Sequence, residues 1–180
     1  ANGRIELKNA AVNMTESPNG ISNANGVILL NGTSATVKNM TAESGGGKIT
    51  LNGFGSLTGT TVRYGLRANA SRVRTRYSGV SIISSAALAL NGTADHSVLN
   101  GTVTIDRVAL GTQSDTGSLL SSTAAPPQTP GAPSGPLSGM RLDVHVVTSP
   151  ALNVQTSVTQ NLSANADLSV RGSILNPGVI

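Results

Sequence analysis

Apolar and polar residues alternate one for one over much of this chain. In Arg4-Ile5-Glu6-Leu7-Lys8, Lys48-Ile49-Thr50-Leu51-Asn52 and Thr102-Val103-Thr104-Ile105-Asp106, every second side chain is apolar. Further on, Leu142, Val144 and Val146 hold one parity while Arg141, Asp143 and His145 hold the other. Leu162, Ala164, Ala166, Leu168 and Val170 oppose Ser163, Asn165, Asp167, Ser169 and Arg171 in the same way. Successive side chains of a strand point to opposite faces, so this period predicts strands with one apolar and one wet side. Helical spacing nowhere lasts beyond a turn, and the wealth of Thr, Ser, Asn, Gly and Val disfavours helix. Turn and alternation signals together predict roughly ten to twelve strands.

Punctuation refines this picture. Asn-Gly occurs seven times, beginning at Asn2, Asn19, Asn25, Asn31, Asn52, Asn91 and Asn100. The pair suits the positive φ angles of tight hairpins, so it is expected to mark a turn where alternating apolar residues flank it, as they usually do here. Apolar parity is even from Val62 through Tyr64, Leu66, Ala68 and Ala70, then odd at Val73. It is odd at Val103 and Ile105, then even at Val108 and Leu110. Each switch predicts a β-bulge, whose extra residue restores the face and bends the strand. Similar segments ending at Gly32, Gly53, Gly92 and Gly172 predict a repeat of about twenty residues, one strand pair per unit. Between Gly111 and Ser138 alternation stops, and Pro126, Pro127, Pro130, Pro133 and Pro136 crowd together. Such a stretch cannot enter a ladder and is expected to be a long flexible loop within one domain spanning 1–180.

Composition narrows the architecture. Hydrophobic residues make up 38% of the chain but aromatic residues only 2%, which favours a thin, extended sheet over a sandwich filled by rings. Charged residues are only 11% and the net charge is +4, so Asn, Ser, Thr and Gly form most of the polar surface. The absence of cysteine excludes disulfides and thiolate metal sites. No apolar run is long enough for a membrane-spanning helix. The chain opens on Ala1 and stops at Ile180 just after a strand-like run, so a segment of a longer protein is expected.

No pattern of reactive residues emerges. His96 and His145 lack partners at metal-ligand spacing, the carboxylates form no close pair, and no serine sits in a Gly-x-Ser-x-Gly elbow. An enzyme is not expected, nor any cofactor or metal. The one charge cluster is Arg63, Arg67, Arg72, Arg74 and Arg76, with Tyr64 and Tyr77 among them. By period two, Arg72, Arg74 and Arg76 fall on one side, either as a solvated face or as contacts for lipid headgroups. The scarcity of rings argues against nucleic acid.

Gly47-Lys48-Ile49-Thr50-Leu51-Asn52-Gly53, the run Leu66 to Val80 with its five-residue Arg-x-Arg-x-Arg core, Ala87-Leu88-Ala89-Leu90-Asn91-Gly92-Thr93, and Leu168-Ser169-Val170-Arg171-Gly172-Ser173 follow one another in order. This succession resembles the C-terminal region of the TamB family, with Ser173 where that family usually has Thr. The resemblance implies an all-β, elongated and curved sheet folded into an open, apolar-lined groove (a β-taco). It further implies a periplasmic position in a diderm bacterium, a parent chain anchored in the inner membrane, and conduction of phospholipid toward the outer membrane. The implied partners are phospholipid and, through parts beyond this segment, an outer-membrane barrel of the TamA or BamA type.

On that reading the groove lining is Ile5, Leu7, Ile28, Leu30, Ile49, Leu51, Leu88, Leu90, Val103, Ile105, Leu142, Val144, Val146, Leu152, Val154, Val158, Leu162, Leu168 and Val170. Arg72, Arg74 and Arg76 are the candidate headgroup contacts. Two rival readings stand beside it: a scaffold that helps outer-membrane β-barrel proteins insert, and a closed β-helix or adhesin stalk with a packed interior. Alternation alone does not separate an open trough from a closed coil.

Overall fold

A computed structural model of the chain describes residues 2–13, 19–77, 79–110, 139–155, 165–173 and 176–179. The strands are β1 (Asn2–Val12), β2 (Ile21–Asn31), β3 (Ser34–Ser44), β4 (Gly47–Thr58), β5 (Thr61–Tyr77), β6 (Val80–Thr93), β7 (Ser97–Leu110), β8 (Met140–Gln155), β9 (Asp167–Ser173) and β10 (Asn176–Val179). They form one ten-stranded sheet in sequential order. The described residues contain no helix. The sheet is open and curved and does not close into a barrel, which removes the closed-coil reading.

Short turns produce most of this order. Gly45 and Gly46, with φ of 56° and 79°, link β3 to β4. Both central residues of such a two-residue hairpin need positive φ, which glycine adopts without steric cost. Gly32-Thr33 and Gly59-Thr60 join the strand pairs on either side. At the β6–β7 turn, Thr93 N–H donates to the His96 carbonyl at 2.8 Å.

One pair departs from the hairpin pattern. β7 and β8 are parallel, with Ser97 opposite Met140 and Ala109 opposite Gln155. The chain therefore leaves the far end of β7 at Leu110 and re-enters beside its beginning. The Pro-rich stretch 111–138, expected as a flexible loop, lies outside the described residues.

Bulges fall where parity switched. The β5–β6 register shifts between Ala70 and Val73, and Asp106 is skipped where β7 pairs with β6. Further shifts occur in β1, β2 and β3. Four non-glycine residues at bulges have positive φ: Asn9 (49°), Asn23 (49°), Asn39 (46°) and Arg72 (54°). Asparagine tolerates this left-handed backbone better than most residues. The N–H groups that a bulge takes out of the ladder find side chains on the next strand. Asn9 N–H donates to Asn25 Oδ1 at 3.0 Å and Asn39 N–H to Asn52 Oδ1 at 2.8 Å. Arg72 N–H donates to Ser85 Oγ at 3.2 Å, and the Ser85 hydroxyl donates on to Asp106 Oδ2 at 2.8 Å.

The expectation that Asn-Gly usually marks a turn is corrected. Asn31-Gly32 does so, but the pairs beginning at Asn2, Asn25, Asn52, Asn91 and Asn100 lie inside strands. Asn25 and Asn52 serve instead as the bulge acceptors just described. A Cβ on Gly101 would collide with the Ala87 carbonyl oxygen and stand 2.9 Å from Leu88 Cα. Glycine there lets adjacent strands approach and kink rather than reverse. The expected repeat of one strand pair per twenty residues is corrected. Its first three segments fall on β2, β4 and β6, one per strand pair, at intervals longer than twenty residues.

Little of the sheet is covered. Ile83, Met140 and Leu152 are the buried apolar side chains among the described residues, and no large side chain is fully buried. Among the described residues, substantial contacts run between sequential strands, and no second layer of strands packs on either face.

Candidate functional site

Residues paired across a ladder share a face, so the registers trace rows from strand to strand. One row runs Ile5, Ile28, Val37, Gly53, Leu66, Leu90, Leu99, Leu142, Gly172. Beside it, Met40, Leu51, Ala68, Leu88, Gly101, Val144 and Val170 form a second. Ala42, Ile49, Ala70, Ala86, Val103, Val146 and Leu168 form a third. None of the three contains a charged or hydrogen-bonding side chain. With strands about 4.8 Å apart, the first row extends roughly 38 Å along the sheet.

The structure thus brings to one face Ile5, Leu7, Ile28, Leu30, Ile49, Leu51, Leu88, Leu90, Val103, Ile105, Leu142, Val144, Val146, Leu168 and Val170. Leu152 is buried, and the backbone of Val154 pairs with Val108. Val158 and Leu162 lie outside the described residues. Val37, Met40, Leu66 and Leu99 belong to the same face and are absent from the sequence-derived set. Leu66 was legible in the even-parity run from Val62 to Ala70. Val37 and Met40 were hidden by the bulge between them, which puts odd and even positions on one side.

This face is half open to solvent. Ile5 and Leu168, near its two ends, are 47% and 42% exposed, and the central Leu66, Leu88 and Leu90 are half-buried. Such rows go beyond the scattered single apolar side chains of an ordinary protein surface. The bulges add bends across the strands, and the interior glycines sharpen them. The three rows offer dispersion contacts and shelter from water, while Tyr64 and Ser97, beside the first row on the same face, place their hydroxyls at its margin.

The opposite face is polar. Arg63, Arg67, Arg74 and Arg76 project from it, all exposed. Arg72 is the extra residue of its bulge, so it interrupts the period that was expected to align it with Arg74 and Arg76. Phe54 pairs with Gly65 on this side, and its ring lies over that glycine. Between β8 and β9, Arg171 Nε donates to Asp143 Oδ1 at 2.9 Å, and His145 Nε2 meets Asp167 Oδ1. Exposed pairs of this kind contribute at most about 1 kcal/mol each, so they tune the β8–β9 seam rather than hold it.

Among the described residues no group of His, Cys, Asp or Glu could hold a metal ion. His96 lies in the β6–β7 turn, before the Ser97–Met140 pair, and His145 lies on the polar face of the neighbouring strand β8, opposite Thr102, about 17 Å further along the strand direction.

No curated protein and no solved structure matches the chain. The family model for the TamB C-terminal domain matches residues 38–179, which take in β4 through β10 and part of β3. The chain belongs to the TamB family, a non-enzymatic assembly and transport module of the cell envelope.

Proposed function

We propose that this chain is a periplasmic section of an intermembrane bridge whose apolar face carries the acyl tails of phospholipid toward the outer membrane. The observation that carries the reading is the set of charge-free rows on a face that no other described strand covers, running along the sheet through nine consecutive strands in the longest case. Moving a lipid through water exposes its tails at about 0.8 kcal/mol per CH₂, or roughly 13 kcal/mol for a chain of sixteen carbons. A surface that follows the tails along their path removes most of that barrier without any bond being made. Along the three rows, aliphatic side chains without polar groups give a ligand many nearly equivalent positions, which favours sliding over capture. The parent protein on this reading is anchored in the inner membrane and meets an outer-membrane barrel of the TamA or BamA type.

A second reading has one observation in its favour. Among the described residues β1 is paired on one side only, so its outer edge offers backbone donors and acceptors to an incoming strand. Such a scaffold would need that edge and not the apolar rows.

Mass spectrometry of the purified chain separates the two. Co-purified phospholipid is expected, and Val144→Arg combined with Leu168→Arg should deplete it severalfold while far-UV circular dichroism stays unchanged. A folded double variant that retains the full lipid load, or a parent chain that carries none, would overturn the conduit reading.

A further inference from the structure

On the polar face, five cations gather where β5 outruns the β3–β4 hairpin. Lys48, Arg72 and Arg74 flank one depression together with Gly45, Gly46, Gly47 and Ile83. Arg76 follows on β5 with the same facing as Arg74, and Arg107 on β7 stands directly opposite Ile83. All five cationic side chains are exposed, yet Ile83 between them is only 9% exposed. The aliphatic stems of long basic residues cover apolar groups in this way while their charged heads stay in water.

The carboxylates that face this cluster are Glu43, opposite Lys48, and Asp106. Both accept hydrogen bonds from neutral partners, Glu43 from Asn23 Nδ2 at 2.9 Å and Asp106 from Ser85 Oγ at 2.8 Å. Neither forms an ion pair with the cluster, and the salt bridges among the described residues all lie elsewhere. Five cations against two carboxylates leave three positive charges in excess, most of the whole chain's +4. A second feature sets the place apart. Arg72 holds a left-handed backbone at φ 54°, where the other such bulges carry asparagine. Residues kept in a sparsely populated conformation concentrate where a side chain has a task.

We infer that this patch docks on an anionic phospholipid bilayer through the headgroup phosphates. The inference is independent of lipid carriage by the apolar face, since the patch lies on the other side of the sheet. The cations spread in two dimensions over β4, β5 and β7, as suits a plane of phosphates and not a single threaded backbone. Phe54 on this face pairs with Gly65 toward the opposite end of β5, and Tyr77 pairs in the register of Val73 and not of Arg74 and Arg76, so neither position favours stacking bases on the patch. Among the described residues no helix is present to enter a nucleic-acid groove.

The test is co-sedimentation of the full chain with vesicles of 70% phosphatidylcholine and 30% phosphatidylglycerol, with pure phosphatidylcholine vesicles as reference. The chain should bind the anionic vesicles at low salt, release at 0.5 M NaCl, and bind the neutral ones far less. Arg74→Ala, Arg76→Ala and Arg107→Ala together should weaken partitioning roughly 100-fold, about fivefold for each charge removed. All three residues are exposed, and circular dichroism verifies that the variant folds. Equal binding to both vesicle types, undiminished binding by a folded triple variant, or tighter binding to a single-stranded oligonucleotide at the same ionic strength would each overturn the assignment.

Discussion

Two glycines that follow asparagine should respond very differently to alanine. Gly32 sits in the β2–β3 turn at φ 60°, and a Cβ there meets nothing within 4 Å. Gly101 sits inside β7 at φ 140°, where a Cβ collides with the Ala87 carbonyl and lies 2.9 Å from Leu88 Cα. For Gly32→Ala the cost is the left-handed backbone alone, about 1–2 kcal/mol, less the roughly 0.4–1 kcal/mol recovered from a stiffer unfolded chain. A net loss of about 1 kcal/mol follows. Gly101→Ala adds a steric term on top of a backbone region reserved for glycine, each of about 1–3 kcal/mol, for a net loss of about 3 kcal/mol. Urea unfolding followed by far-UV circular dichroism reads both. With a slope of about 2 kcal/mol/M, the midpoint should fall by about 0.5 M for Gly32→Ala and about 1.5 M for Gly101→Ala. Equal shifts, or a larger one at Gly32, would refute the claim that the interior pair is a packing device and not a turn.

Other substitutions probe the bulges and the outer face. Arg72→Asn should raise the melting temperature, because asparagine accepts the left-handed backbone at φ 54° that costs arginine about 1 kcal/mol. Asn52→Ala removes the acceptor for Asn39 N–H and should cost about 0.5–1 kcal/mol in the same urea assay, small because the site is exposed. Phe54→Ala uncovers Gly65 and should cost about 1 kcal/mol, since the ring is already 49% exposed.

Parity alone located the apolar face because every residue paired across a ladder keeps its side, so local alternation in β1, β4, β7, β8 and β9 sums to one surface. The two parity switches near Val73 and Val108 were readable as bulges for the same reason. Where a bulge falls near the middle of a short strand, as at Asn39 in β3, it leaves too few residues on either side for the alternation to show. Asn-Gly misled because the pair has two uses. Positive φ suits a hairpin at Gly32, but the missing Cβ suits close strand approach at Gly53 and Gly101. The parallel β7–β8 pair left no local mark, since strand direction depends on where the connection delivers the chain and not on the residues within either strand. The grouping of Lys48 and Arg107 with the arginines of β5 was likewise invisible, because register brings together positions far apart in sequence.

The central claim concerns sidedness, and neighbouring residues of one strand test it. Leu90 belongs to the long apolar row, whereas Ala89 faces Arg67 and Asn100 on the polar side. A photoreactive amino acid placed at each position in turn, in cells making the protein, reports what touches each face. Crosslinks to phospholipid at position 90 with few or none at 89 are predicted. Equal lipid adducts at both positions, or none at 90 while the variant is folded and abundant, would contradict the account.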